Sequence, residues 1–201
     1  MINKIKTWWE AYKKKETVWG HISNIVFVLF VAAMLFPASR KLVSSTLIKL
    51  TMFDRGSISR PDNPVKLGAA DKDFVVFKEN EVIPFQSFDG EVVVINYWAT
   101  WCPPCIAEMP NFQRVYNDYG DKVVFLFLTG DEMDVAEKFL KKHDYNLPVY
   151  NYNLLPAPLN HNSIPTSFVL NRNSEIVFSH TGAYKWDGES FKEFLDELIA
   201  E

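Results

Sequence analysis

"NYWATWCPPCIAEMP", Asn96 to Pro110, holds both cysteines of the 201-residue chain, Cys102 and Cys105, with two prolines between them. The run leading into it, "EVVVINYW" from Glu91 to Trp98, is β-branched and aromatic and reads as a strand. The stretch after Cys102 reads as a helix, so the pair sits at a strand-to-helix junction. Pro103 suits a first helical turn, where its missing N–H had no intrahelical partner to lose. Cys102 then lies at the positive end of the helix dipole, which favours thiolate over thiol and makes it the nucleophile. Cys105, one turn later on the same face, is within reach to resolve a mixed disulfide.

Two other chemistries compete for such a pair. Structural zinc wants four ligands, and there is no second cysteine pair; His21, His143, His161 and His180 do not repeat at the spacing of a zinc-finger arm. A structural staple across so short a loop removes little chain entropy from the unfolded state. Redox exchange is the favoured reading, with neither metal nor cofactor called for.

Trp101-Cys102-Pro103-Pro104-Cys105 after a buried strand resembles the thioredoxin superfamily, and the fifteen-residue stretch is most similar to its membrane-anchored TlpA/ResA type of extracytoplasmic thiol-disulfide oxidoreductase. Pro110 matches the proline that kinks the active-site helix of thioredoxins, and "IPTSFVL", Ile164 to Leu170, resembles the cis-proline loop and the strand after it. The resemblance covers about Phe74 to Ala200. It implies an α/β thioredoxin-like sandwich, a central mixed sheet flanked by helices, preceded by one N-terminal transmembrane helix. It further implies a cis Ile164–Pro165 bond and client contact at Trp101, Pro104, Ile164, Pro165 and Thr166. Client proteins with disulfides, such as an apocytochrome c, and a membrane electron-donor protein are the implied partners. One departure is Asn96, where thioredoxin itself carries a buried aspartate and the nearer family tends to place Asn. Glu108 matches the acidic residue of the family's CxxCxxE pattern and lies on the face of Cys105, so it is the expected proton acceptor for that thiol. Peroxiredoxins resemble T-x-x-C at their active cysteine, whereas Thr100 is two residues before Cys102. A non-catalytic anchored binding module, a metallochaperone or a holdase for client cysteines, remains the alternative.

The N-terminal third differs in kind. Thr17 to Ser39 contains no Asp, Glu, Lys or Arg and includes "IVFVLFVAAMLF". As a helix it would span roughly 34 Å, enough to cross a bilayer core. Phe36-Pro37-Ala38 is a poor signal-peptidase site, which favours an anchor over a cleaved signal. The expected organisation is a basic segment at 1–16, an anchor at 17–39, a juxtamembrane linker at 40–65 and the thioredoxin-like domain at 66–201, facing the periplasm or the cell exterior. Lysines and arginines flank the span on both sides, so the positive-inside rule leans only weakly to a cytoplasmic N-terminus.

Charge separates along the chain: residues 1–60 carry ten Lys/Arg against three Asp/Glu, and residues 61–201 carry eleven against twenty-two, +7 and −11. An acidic soluble domain argues against nucleic acid as a partner. Aromatics at 15% argue for a packed core. Strands are expected near Phe74 to Phe77, Val92 to Trp98, Lys122 to Thr129, Pro148 to Asn151, Thr166 to Leu170 and Glu175 to His180. Helices are expected from Cys102 to about Tyr119, Asp134 to His143 with Val135, Phe139 and Leu140 inward, and Glu189 to Ala200. Trp98 reads as core and Trp101 as surface. His161 is a loop histidine that approaches the site only if its loop folds beside the cysteines.

Overall fold

The computed structural model describes residues 18–35, 37–52, 56–79 and 81–201. The basic segment 1–16 lies outside the described residues. The described residues up to Val43 belong to one unit and those from Ser44 onward to another. In the first, helix α1 runs from Val18 to Leu35, with Ile25, Val26, Phe27, Val28, Leu29 and Phe30 all exposed. Among the described residues, no helix is long and apolar enough to cross a membrane; the side chains of α1 are described only from Gly20 to Ala32. Helix α2 runs from Pro37 to Thr51 and ends in the second unit.

Among the described residues, the second unit is built on eight strands: β1 (Val65–Lys66), β2 (Val75–Lys78), β3 (Glu81–Pro84), β4 (Val93–Trp98), β5 (Val124–Thr129), β6 (Val149–Tyr152), β7 (Thr166–Leu170) and β8 (Glu175–Thr181). Their order across the sheet is β1-β8-β7-β4-β5-β6-β2-β3. The sheet is mixed: β4, β5 and β6 run parallel, and β7 pairs antiparallel with β4. The α-helices packed on it are α3 (Pro103–Tyr119), α4 (Met133–Lys142) and α5 (Glu189–Ala200).

Strand β4 is buried at every position, and its alternation divides the core. Val94 and Trp98 join Met109, Phe112, Val115, Trp186, Phe191 and Leu195 on the face covered by α3 and α5. Val93, Ile95 and Tyr97 join Leu126, Leu128, Phe168 and Leu170 on the other. Asn96 shares the parity of Val94 and Trp98, which places a polar amide beneath the active-site helix. β5 is buried through its last five positions, as its unbroken apolar run requires of a central strand.

Two elements were not anticipated: β1, two residues long, and β3, which pairs with β2 as a hairpin at the sheet edge. Both are short or half-exposed, so neither shows a run or a clean alternation. One burial expectation is corrected. Val135 is exposed, and Ala136 and Leu140 are the buried residues of α4 with Phe139 beside them. Four residues separate Ala136 from Leu140, one helical turn, whereas Val135 lies about 100° away on the solvent side.

Candidate active site

Cys102 and Cys105 stand where the chain leaves the carboxyl end of β4, in the middle of the sheet. They form a disulfide with S–S 2.09 Å and Cα–Cα 5.3 Å. Cys102 is the N-cap of α3, with Pro103 and Pro104 as the first two helical residues. Neither proline has an N–H to donate. The backbone N–H of Cys105, 3.2 Å from Cys102 Sγ, is therefore the first amide of the helix that reaches the sulfur. The loop before the pair is held by Asp131, whose carboxylate accepts the Thr100 N–H at 2.7 Å. Asn151 in turn donates to the carbonyls of Thr129 and Asp131 and ties that loop to β6.

The second arm of the site is the turn into β7. The Ile164–Pro165 peptide bond is cis, as the motif implies, and the Ile164 carbonyl oxygen lies 3.7 Å from Cys102 Sγ. Pro165 is buried and Ile164 half-buried. Thr166 is the first residue of β7; its hydroxyl donates to the Ser163 carbonyl at 2.8 Å and lies 3.2 Å from Thr181 Oγ1. Trp101 is 60% exposed, while Trp98 is buried in the core. A cavity of about 220 Å³ opens between Trp101, Ile164, Asp131 and Tyr152. A second, of about 260 Å³, lies against Pro104 and is walled by Ile48, Met52 and the Ala183–Lys185 loop. His161 stacks on Tyr97 with ring centroids 4.0 Å apart, and burial lowers its pKa from the usual histidine range. Among the described residues no cluster of three or more His, Cys, Asp or Glu could hold a metal ion.

Glu108 is fully buried. It follows Cys105 by three residues, so it lies about one turn along the same face of α3. Three donors converge on its carboxyl. Trp186 Nε1 reaches Oε2 at 2.8 Å, the Tyr184 backbone N–H reaches Oε2 at 3.1 Å, and Asn96 Nδ2 reaches Oε1 at 3.0 Å. Asn96 Nδ2 also donates to Ser167 Oγ at 2.9 Å. Desolvation dominates the three donors and pushes the Glu108 carboxyl up to about 8. Cys105 is 0% exposed and Cys102 3%, so water has no direct access to the inner sulfur. Glu108 is the carboxyl three residues further along the same helix face.

Trp186, Tyr184 and Ser167 were not among the residues singled out from sequence. Trp186 lies 78 positions from Glu108 in a loop before α5, and no periodicity joins them. The available signal was chemical: a buried Trp needs an acceptor for its N–H.

The AhpC/TSA family model matches residues 67–179, more than half of the chain. The chain belongs to the AhpC/TSA family. Within this thioredoxin-like family its similarity is to thiol-disulfide oxidoreductases. The protein named thiol-disulfide oxidoreductase ResA from Bacillus cereus is 30% identical over 178 residues, 83% of this chain and 94% of that one. The homologue of the same name from Bacillus thuringiensis is 31% identical over 150 residues, 69% and 79% of the two chains. The fold matches a Chlorobium tepidum structure described as a thiol:disulfide interchange protein DsbE, with TM-score 0.58 at 23% identity over 69% of this chain and 98% of that one. With the cysteine pair disulfide-bonded at the head of α3, this member of the AhpC/TSA family is a thiol-disulfide oxidoreductase.

Proposed function

We propose that the enzyme runs as a reductase of client protein disulfides. Cys102 thiolate attacks one sulfur of the client disulfide; the client S–S bond breaks, a Cys102–client disulfide forms, and the other client sulfur leaves as a thiolate. Cys105 then gives its proton to Glu108 and attacks Cys102 Sγ, which closes the Cys102–Cys105 disulfide and releases the second client thiolate. Two electrons pass from the dithiol to the client, and a dithiol donor restores the pair. Trp101, Pro104 and the Ile164–Pro165–Thr166 turn border Cys102 and receive the client chain, whose extended backbone pairs with that of Ile164 as an added strand.

The observation that carries the direction of flow is the donor set of Cys102. A thiolate at a helix N-terminus is stabilised by the free amides of the first turn. Here two of those positions are prolines and the Cys105 N–H is the amide that reaches the sulfur. A poorly stabilised thiolate favours the disulfide form, which is the bias of a reductant. A redox titration of the pair tests this: a potential well below about −200 mV agrees, and one near the roughly −120 mV of strongly oxidising dithiols refutes it.

The same reading sets the domain outside the cytoplasm on an N-terminal anchor, supported by the uncharged Thr17–Ser39 segment and by the exposed apolar side chains of α1. Two cysteines and no spare thiol suit an oxidising compartment. Its clients are disulfide-bearing extracytoplasmic proteins such as an apocytochrome c, and a membrane dithiol protein supplies the electrons. Mixed-disulfide trapping with Cys105→Ser, followed by identification of the captured chain, tests the client. Capture of extracytoplasmic chains supports the assignment, and capture of cytoplasmic chains alone would overturn the topology.

A further inference from the structure

The hydrogen bonds around Glu108 place its acid proton and, through it, assign a task to Asn96. Oε2 faces Trp186 Nε1 and the Tyr184 backbone N–H, at 2.8 and 3.1 Å. Both groups only donate, so a proton on Oε2 would meet two other hydrogens. The acid proton therefore belongs on Oε1. There the facing group is Asn96 Nδ2, which also only donates. The arrangement as it stands fits the carboxylate and does not fit the acid. Yet the same amide carries an acceptor, Oδ1, which is buried and has no hydrogen-bond partner among the described residues. A half-turn of the amide exchanges the two atoms.

We propose that the Asn96 side chain is a two-position amide that serves both protonation states of Glu108: Nδ2 faces Oε1 of the carboxylate, and Oδ1 faces the Oε1–H of the acid. Ser167 completes the device. Its hydroxyl accepts from Nδ2 in the first position at 2.9 Å and donates to Oδ1 in the second, because a hydroxyl does either. The carboxyl can then take up and give back the Cys105 proton with no backbone movement, and the hydrogen bond that faces Oε1 is kept in both states. An aspartate at position 96 would put a second negative charge at this distance instead. Asn96 is a positioning residue: it acts through Glu108. The inference rests on the acid–base reading of Glu108.

Other ionisable groups lie on the elements packed against Glu108 and must be separated from it. They are Cys102 and Cys105 on α3, His180 on β8 opposite Ser167, and Tyr184, Lys185 and Asp187 on the loop before α5, where Lys185 and Arg114 both pair with Asp187. The test uses the full-length chain in its disulfide form, in which the cysteines do not titrate. Asparagine side-chain amides are labelled with 15N and glutamate carboxyls with 13C, and the Asn96 signal is assigned by its loss in Asn96→Asp. The expected result is that the Asn96 amide resonances shift with the same midpoint as the Glu108 carboxyl. In Glu108→Gln the shift vanishes, which excludes His180 as its source.

A Glu108 carboxyl that titrates while the Asn96 amide stays still would overturn the proposal, because the acid proton would then point away from Asn96. A Glu108 that never titrates between pH 5 and 10 would overturn it as well. If the amide follows Glu108 but Glu108→Gln turns over at the wild-type rate, the two-position amide stands and the catalytic reading of Glu108 fails. In Asn96→Asp the turnover–pH profile moves up by one unit or more, a tenfold change in proton affinity from the adjacent charge. An unmoved profile in that variant would count against the contact.

Discussion

Trp186 gives its indole N–H to Oε2 of Glu108 at 2.8 Å, and neither side chain exposes surface to solvent. The pair joins the active-site helix to the loop before α5, and Phe112 stacks on the indole with ring centroids 4.7 Å apart. A carboxyl in such a place cannot be a solvated helix residue. Its burial raises the cost of ionisation, and its donors keep the ionised form within reach of neutral pH.

Stability should therefore fall as pH rises. The folded pKa of Glu108, about 8, is above its ordinary value of 4.5. Between these values the folded chain holds a proton that the unfolded chain has released, so unfolding free energy declines by roughly 1.4 kcal/mol per pH unit across that window. Below it the contribution is fully present. Urea unfolding of the disulfide form at pH 5 and pH 8 checks this: Glu108→Gln is expected to lose the slope and to equal or exceed the wild type at pH 8. An equal slope in the variant would assign the pH dependence elsewhere.

Trp186→Phe removes one donor from the charged form of Glu108 and keeps an aromatic ring against Phe112. The carboxyl should then titrate higher, by about one pH unit, the size expected for a hydrogen bond to a charged group. The measurement is the 13C titration of Glu108 in the variant. A midpoint equal to that of the wild type would mean that the indole contributes packing alone.

How much of this was legible in the sequence varies by residue. The cysteines, their place between a strand and a helix, and the Ile164–Pro165 turn were readable because each depends on local chemistry: a β-branched run, prolines at a helix start, a short motif. Helix α5 follows from strong periodicity within one segment, and strand β7 from the motif that precedes it. What stayed hidden were contacts across the chain. Asn96 and Glu108 are both in the motif, but that their polar ends meet, with Ser167 and Trp186 completing the ring, depends on the register of β4 with β7 and on where a loop folds back. Val135 was misplaced for a simpler reason: in a short helix, apolar identity was read as inwardness, and the helical angle decided otherwise.

Phe112 is fully buried, stacked on Trp186 and set edge-to-face against Phe127 at 5.0 Å. Phe112→Ala should cost about 3–5 kcal/mol, from lost transfer energy and the cavity left behind. The denaturation midpoint of the variant gives this number, and a loss below about 1 kcal/mol would mean that the core closes over the gap.

Trp101 is the opposite case, an exposed aromatic directly before the nucleophile. Trp101→Ala should change stability by no more than about 0.5 kcal/mol, as expected of a surface position. Its effect should appear in client reduction as a raised KM with kcat little changed. An unaltered KM for a protein disulfide would remove Trp101 from the client surface.

The central claim is that a buried carboxyl takes the Cys105 proton when the mixed disulfide is resolved. It is tested most directly by single-turnover kinetics of client reduction, comparing wild type with Glu108→Gln at pH 9, above the Glu108 midpoint of about 8, and separating formation of the Cys102–client disulfide from its decay. The account predicts that formation is nearly unchanged and that decay slows by about 10²-fold, within the range of a lost general base. Decay at the wild-type rate, with the variant folded, would contradict it.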